Sequence, residues 1–79
     1  MFFVYILKSL ENNSYYVGHS SDISARLKQH NNGRVRSTKA YRPWEVVYSE
    51  ELETKSEAFK REMQIKSYKG GKAFKDLIK

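Results

Sequence analysis

A single carboxylate lies among the apolar residues of a segment whose spacing is helical. On a wheel of about 100° per residue, the apolar arc consists of Ala58, Phe59, Met63 and Ile65. Glu62 falls within this arc, and Lys66 stands beside it at i+4. A carboxylate on a core-facing stripe is unfavourable unless it is paired or bound to a metal ion. The pattern therefore allows either a half-buried Glu62–Lys66 ion pair, worth about 0.2–0.5 kcal/mol on a helix surface, or a metal site.

A second pair of functional side chains occurs in an earlier helical segment. Ile23, Leu27 and His30 recur at i, i+4 and i+7, and Arg26 precedes His30 by one helical turn. An arginine at the edge of an apolar stripe can hold a phosphate through two parallel hydrogen bonds. A histidine there can move protons near neutral pH. The structural alternative is a solvated Arg26 and a His30 that is satisfied by backbone groups.

Two tyrosines, Tyr5 and Tyr16, lie in segments that are predicted to be strands. Their residue type allows a role in proton transfer, whereas cross-strand aromatic packing is the structural explanation of the same pattern. His19 follows Gly18 directly, and the pattern assigns no role to it.

A basic loop follows the first helical segment, over residues 33–43. Its four cations are Arg34, Arg36, Lys39 and Arg42. Together with two hydroxyls and one tyrosine, they suit contact with phosphates and stacking on a base. An ordinary surface loop is the alternative, but the net charge of the chain favours binding.

Composition limits the remaining possibilities. The chain has 79 residues, a formal net charge of +6 and no cysteine, which excludes a disulfide scaffold and a thiolate metal site. No apolar run approaches the about 20 residues of a membrane span. The apolar start lacks a basic leader and a small-residue cleavage site, so we expect a strand there, and not a signal peptide. We expect a cytoplasmic protein whose partner is a polyanion.

Charge is distributed in three blocks. Residues 1–44 carry seven basic and two acidic side chains, a net charge of +5. Residues 45–57 carry one basic and five acidic side chains, a net charge of −4. Residues 58–79 carry seven basic and two acidic side chains, a net charge of +5. This distribution favours one basic face over a uniformly positive surface. The acidic segment could instead contact a protein, and such binding would not weaken steeply with salt as phosphate binding does.

The elements that must position these residues follow from period and turn chemistry. Strands are predicted at 2–7, 15–18 and 44–49, with a turn at 11–14 between the first two. Helices are predicted from Ser20-Ser21-Asp22 to Asn31-Asn32-Gly33, from the capping box Thr54–Glu57 to about Tyr68, and over 73–78. We expect one domain, 1–79, in the order β-β-α-β-α-α.

These segments together resemble the GIY-YIG nuclease domain, in its small stand-alone bacterial form. Phe3-Val4-Tyr5 stands where the family has Gly-Ile-Tyr, and Tyr16-Val17-Gly18 stands where it has Tyr-Ile-Gly. Residues 23–31 resemble the Arg-Leu…His-Asn stretch of the family, and residues 57–66 resemble the helix that carries its metal-binding glutamate. The resemblance covers nearly the whole chain and is specific because four pieces occur in order at the right separations.

The resemblance implies a fold and a chemistry. The fold is α/β (α+β): a small three-stranded mixed or antiparallel sheet flanked by helices. The activity is phosphodiester cleavage with one divalent cation, Mg²⁺ or Mn²⁺, for which Glu62 is the only protein ligand, with waters and phosphate completing the shell. Arg26 neutralises charge on the phosphate, and either Tyr5 or Tyr16 helps to activate water.

Proton transfer from a tyrosine has a cost that neighbours must offset. Ionising a free tyrosine at pH 7 costs about 4 kcal/mol, and Lys66, Arg26 or the metal ion can reduce this cost. Alternatively, His30 relays the proton. The sequence leaves the choice between Tyr5 and Tyr16 open.

The sequence departs from the family pattern in three places, of which Val17 for isoleucine in the Tyr-x-Gly motif is conservative. Phe3 replaces the first glycine, and no asparagine follows Asn32, whereas many members have a later asparagine that supports the site. Ser67, Tyr68 or Lys69 are the available substitutes. We expect an endonuclease that acts on DNA, in repair or recombination, alone or as a homodimer or with a protein partner. The alternative is a nucleic-acid-binding module with the same fold and little or no turnover.

Overall fold

The computed structural model describes residues 1–79 and confirms the predicted order of elements. The strands and helices are β1 (Phe2–Ser9), β2 (Tyr15–Ser20), α1 (Ile23–Asn31), β3 (Trp44–Leu52), α2 (Lys55–Ser67) and α3 (Lys72–Leu77). One short 3-10 turn, Lys39–Tyr41, lies within the basic loop, for which no regular structure was predicted.

The three strands form one antiparallel sheet with β1 in the centre, in the order β2-β1-β3. Of the two predicted forms, mixed and antiparallel, the antiparallel one is therefore present. The central position of β1 follows from its sequence, because residues 4–7 are buried on both faces. Such a continuous apolar run is typical of a strand that is covered on both sides.

Helices cover both faces of the sheet. Val4 and Ile6 pack with Ala58 and Ile65 of α2 and with Phe74 of α3. On the opposite face, Tyr5, Leu7 and Trp44 form a second cluster, against which Ile23 and Leu27 of α1 pack. The alternation of side chains along a strand thus directs Tyr5 towards α1 and its neighbours Val4 and Ile6 towards α2.

Both long helices begin at the predicted caps. The Asp22 side chain accepts a hydrogen bond from the Ala25 N–H at the start of α1. At the start of α2, Thr54 and Glu57 form both bonds of the capping box. These bonds satisfy N–H groups that a helix start leaves unpaired, and they fix where each helix begins relative to the sheet.

The apolar arc predicted for α2 is wrong in part. Phe59 and Met63 are exposed, at 52% and 49% of their surface, whereas Ala58, Glu62 and Ile65 are buried. The buried residues of α2 are spaced by four and three positions and form one narrow stripe against the sheet. This stripe is narrower than the arc over which the apolar residues of the helix are spread. Glu62 therefore belongs to the buried stripe as predicted.

No helix of the protein is both long and apolar enough to cross a membrane.

Candidate active site

Tyr5 lies opposite a glycine whose missing side chain makes room for it. In the antiparallel register, Tyr5 of β1 pairs with Gly18 of β2. A Cβ atom on Gly18 would lie 2.7 Å from the Tyr5 hydroxyl and 2.9 Å from its Cζ. These separations are shorter than real Cβ atoms tolerate, so glycine is the residue that allows the phenol to lie against the β2 backbone.

A chain of hydrogen bonds leads from Tyr5 into the basic loop. The Tyr5 hydroxyl is 3.0 Å from Nε2 of His30, and Nδ1 of His30 is 2.8 Å from the Thr38 hydroxyl. The Thr38 hydroxyl in turn donates to the Val35 carbonyl at 3.3 Å. His30 and Thr38 are completely buried, and Tyr5 is 1% exposed. The partners of His30 are therefore side chains, and not the backbone groups of the structural alternative.

Burial shifts the pKa values of Tyr5 and His30. It raises the pKa of Tyr5 above its usual 10, against the opposing hydrogen bond and charge of Arg26. It also lowers the pKa of His30 from 6.5 to about 4, and the nearby positive charge of Arg26 acts in the same direction. At neutral pH both groups are uncharged, so the pair is held as a neutral phenol beside a neutral imidazole.

Arg26 and Tyr16 complete this side of the site. Arg26 is half-buried, and its Nη1 donates to the Gln29 side chain at 2.7 Å. The Tyr16 ring packs edge-on against His30 with centroids 5.0 Å apart. Its hydroxyl has no hydrogen bond to a side chain, which distinguishes it from Tyr5.

Glu62 and its partners lie on the α2 side of the sheet. The Glu62 side chain is 10% exposed; its Oε1 accepts from Nδ1 of His19 at 2.5 Å, and its Oε2 accepts from Nζ of Lys66 at 2.6 Å. Burial opposes ionisation of this carboxyl, but the hydrogen bonds and charges of Lys66 and His19 outweigh it and lower the pKa of Glu62. The carboxylate is therefore ionised at neutral pH. The Glu62–Lys66 ion pair considered from the sequence is present.

His19 is a site residue that no sequence pattern indicated. It follows Gly18 on β2 and therefore points to the face opposite Tyr5, where α2 brings Glu62 to it. Phe59 packs edge-on against its ring at 6.1 Å. The contact joins residues 43 positions apart in the chain, which explains why local spacing could not reveal it.

Two grooves are lined by residues of β2 and of the neighbouring helices. One, of about 400 Å³, is lined by both Arg26 and His19, together with Ser20, Asp22 and Lys55. The other, of about 310 Å³, has both Tyr16 and Lys66 in its walls, and its remaining lining residues are Tyr15, Val17, Ile65, Lys69, Gly70 and Phe74. Each groove thus contains a residue from the Tyr5 side and one from the Glu62 side.

The four cations of the basic loop are on the surface. Arg34, Arg36, Lys39 and Arg42 are exposed, and none of them takes part in an ion pair. The loop is anchored from within: the Trp44 ring N–H donates to the Thr38 carbonyl at 2.9 Å, and Asn31 bonds to both backbone groups of Trp44. The cations are therefore free to meet a ligand while the loop itself is held against the site.

Negative charge is concentrated away from this site. Glu45, Glu50 and Glu51 lie on β3, which forms the sheet edge opposite β2. Glu50 is paired with Arg61 at 3.0 Å, and Glu45 and Glu51 are exposed.

The donor set fits one kind of metal ion. The chain contains no cluster of three or more His, Cys, Asp or Glu side chains that could hold a metal. Glu62 supplies one ionised, partly accessible carboxylate. Mg²⁺ is commonly held by one or two carboxylates and keeps several waters, and the Glu62 carboxylate is a donor of the kind that such an ion uses.

Comparison with known proteins identifies the family. The model of the GIY-YIG catalytic domain matches residues 1–73. A UPF0213 protein of Staphylococcus epidermidis is 51% identical over 67 residues, which is 84% of this chain and 80% of that protein. A UPF0213 protein of Staphylococcus aureus is 49% identical over the same shares.

The chain therefore belongs to the GIY-YIG family, and its relatives are small bacterial UPF0213 proteins. This is a family of nucleases that act on nucleic acid and generally depend on a divalent metal. The solution NMR structure of a UPF0213 protein from Bacillus halodurans matches with 30% identity and a TM-score of 0.49, over 85% of this chain and 72% of that one.

Proposed function

We propose that this protein is a metal-dependent endonuclease that hydrolyses phosphodiester bonds in DNA, with residues 1–79 acting as one catalytic domain. The observation that carries the proposal is the placement of two different chemical groups on either side of β2. Tyr5, with His30, lies against Gly18, and Glu62 is bound by the next residue, His19. The proposed location is the cytoplasm, and the proposed substrate is DNA that is undergoing repair or recombination.

Arg26 and Lys66 bind the substrate in this proposal. Each lies in one of the grooves beside β2, so a phosphodiester strand that crosses the strand edge meets both cations. Arg26 is the better placed to stabilise charge that develops on the reacting phosphate, because its planar guanidinium donates to two oxygens at once. The exposed cations Arg34, Arg36, Lys39 and Arg42 hold the flanking phosphates.

Tyr5 and His30 move the proton. The Tyr5 hydroxyl is bonded to His30, so its own proton can pass to Nε2 while the oxygen accepts one from the attacking water. Because Tyr5 is 1% exposed, this role requires that bound substrate gives water access to the phenol. Burial raises the pKa of Tyr5 and lowers that of His30 to about 4, so the transfer costs free energy that the negative charge of a bound phosphate would have to offset. Tyr16, which lacks this bond, positions the His30 ring and the substrate.

Glu62 is the proposed ligand of the cation, Mg²⁺ or Mn²⁺. Glu62 would hold such an ion, which would supply polarisation of the phosphate and stabilisation of charge on the leaving oxygen. His19 orients the carboxylate through Oε1. Lys66 has a side chain that is 45% exposed, so it can turn from Oε2 towards a phosphate.

The decisive experiment is a cleavage assay with labelled single-stranded, duplex and branched DNA and with RNA, in Mg²⁺ or Mn²⁺. Glu62→Gln keeps the shape of the side chain and removes its charge, and we expect it to abolish cleavage while binding is largely retained. Glu51→Gln, an exposed glutamate on β3, is the matched control and should leave the rate unchanged. Cleavage that survives Glu62→Gln would contradict the assigned metal ligand.

A binding module with little or no turnover is the second candidate function. The observation that favours it is that both Glu62 oxygens are already bound, by His19 and Lys66, and the chain lacks the later asparagine of many relatives. Paramagnetic Mn²⁺ distinguishes the two functions: selective broadening of NMR signals around Glu62 indicates a metal site. Salt-sensitive DNA binding without such broadening or cleavage indicates the module. Binding that is insensitive to salt would instead indicate a protein partner of the acidic segment.

A further inference from the structure

Thr38 is the one buried residue among the exposed residues 36–43 of the basic loop. Its hydroxyl contacts the ring of His30, on the side away from Tyr5. The hydrogen bonds of His30 to Tyr5 and to Thr38 indicate which ring nitrogen carries the proton.

At the Tyr5 end, the phenol needs an acceptor. The hydroxyl is buried and has His30 Nε2 as its hydrogen-bond partner. The other group that acts on it, the Arg26 guanidinium, carries donors only. If Nε2 is the unprotonated nitrogen of His30, Tyr5 donates to it and the phenol proton is satisfied; the opposite tautomer offers that proton no acceptor.

At the Thr38 end, the contacts are consistent with the same assignment. The threonine hydroxyl has one proton, and the Val35 carbonyl, 3.3 Å away, can only accept it. The hydroxyl oxygen is then free to accept from Nδ1–H of His30 at 2.8 Å. Because burial lowers the pKa of His30 to about 4, the ring is neutral at pH 7 and carries a single N–H.

We propose that Thr38 is a positioning residue that fixes the Nδ1–H tautomer of His30 and thereby keeps Tyr5 oriented as a donor to Nε2. This proposal deepens the proposed nuclease function and rests on it. The opposite tautomer would place an N–H against the Tyr5 oxygen and leave the phenol without a proton acceptor. The basic loop thus contributes to proton transfer as well as to phosphate binding.

The backbone of Thr38 is held independently of its hydroxyl. Its N–H donates to the Val35 carbonyl at 3.1 Å, and its carbonyl accepts from the Trp44 ring at 2.9 Å. Thr38→Val preserves the shape and these backbone bonds but removes the acceptor for Nδ1–H. Thr38→Ser keeps the hydroxyl, and Ser37→Ala removes a neighbouring exposed hydroxyl as a control.

The tautomer is measured directly by long-range ¹H–¹⁵N NMR on the full chain, which has two histidines. We expect the Nδ1–H form for His30 in the wild type, in Thr38→Ser and in Ser37→Ala, and loss of that form in Thr38→Val. Nδ1 of His30 found unprotonated in the wild type would overturn the proposal without any variant.

The kinetic test separates positioning from folding. We expect Thr38→Val to lower the single-turnover rate roughly 10- to 100-fold, the range found when the hydrogen-bond partner that orients a metal-bound histidine is removed, with DNA affinity unchanged. Thr38→Ser should restore the rate. The positioning role of Thr38 would be contradicted if Thr38→Val kept the wild-type rate. It would also be contradicted if Thr38→Ser were as slow as Thr38→Val. Absence of cleavage by the wild type would refute the proposed nuclease, whereas the tautomer measurement would still decide the hydrogen-bond assignment.

Discussion

The Tyr5 hydroxyl occupies the space that a side chain at Gly18 would take, since a Cβ atom there would lie 2.7 Å from the phenol oxygen. The two residues are directly paired across β1 and β2. The glycine of the Tyr-x-Gly motif is thus explained by sterics: it allows the tyrosine of the neighbouring strand to lie flat against β2 and reach His30.

Gly18→Ala should therefore displace Tyr5. We expect a loss of about 1–3 kcal/mol in the free energy of unfolding, the usual cost of overpacking, and a lower cleavage rate because the Tyr5–His30 bond is strained. Denaturant unfolding and single-turnover kinetics measure the two effects. In the double variant with Tyr5→Phe, the clash with the hydroxyl is absent, so the losses in stability should be less than additive. Strict additivity would show that the hydroxyl is not the group that excludes a side chain.

The two tyrosines should differ in their effect on the rate. Tyr5→Phe removes the group that donates to His30, and we expect cleavage to fall by about 10²–10⁴-fold, the usual contribution of a general acid or base. Tyr16→Phe removes a hydroxyl without a side-chain partner, so its effect should be smaller. Single-turnover rates of the two variants, with circular dichroism as a control for folding, make the comparison. A larger loss in Tyr16→Phe would reverse the assigned roles.

The sequence predicted the helices and strands because each of them is marked by residues close together in the chain, such as a capping box or an apolar run. The Thr54–Glu57 capping box and the apolar run of β1 are read within a few residues, and Glu62 in the buried stripe of α2 follows from the helical period. Sequence spacing could not predict that His19 meets Glu62 or that Thr38 meets His30. These contacts depend on which face of β2 each residue occupies and on how the basic loop folds back.

The choice between Tyr5 and Tyr16 shows the same limit. Both are strand tyrosines in the motif of the family and both pack against His30, but only Tyr5 forms a hydrogen bond with it, at 3.0 Å. The error over Phe59 and Met63 has the opposite cause, because residue type suggested burial whereas the geometry of α2 against a small sheet leaves both exposed.

Burial of neutral His30 should make stability depend on pH. The pKa of His30 is about 4 in the folded protein against 6.5 for the free side chain, so the unfolded chain binds the proton more readily. The folded state is consequently favoured above pH 6.5, and this contribution, about 3 kcal/mol, is lost as the pH falls from 6.5 towards 4. Glu62, whose pKa is lowered, loses its stabilisation in the acid range as well.

Urea unfolding of the wild type and of His30→Gln, between pH 7.5 and 4.5, tests this. Glutamine has no proton to gain, so the variant should be less stable at pH 7.5 but should lose less stability on acidification. The difference between the two proteins should shrink as the pH falls. Parallel pH profiles would mean that His30 titrates alike in the folded and unfolded states.

The basic loop should determine the salt dependence of binding. Each phosphate contact made by a lysine or arginine contributes about 0.9 to the slope of log K against log salt for duplex DNA. Neutralising Arg34, Arg36 and Arg42, which are exposed and unpaired, should therefore reduce the slope by up to about 3. Fluorescence anisotropy with labelled DNA at several salt concentrations measures it.

A second triple variant separates local contact from net charge. Neutralising Lys72, Lys75 and Lys79, in and just after α3, changes the formal charge by the same three units. These residues lie outside the loop that contacts His30 through Thr38, so the salt slope of this control should change less than that of the loop variant. If both variants reduced the slope equally, the cations would act through the overall field of the protein and not as individual phosphate contacts. An unchanged slope in the loop variant would place the nucleic-acid interface elsewhere.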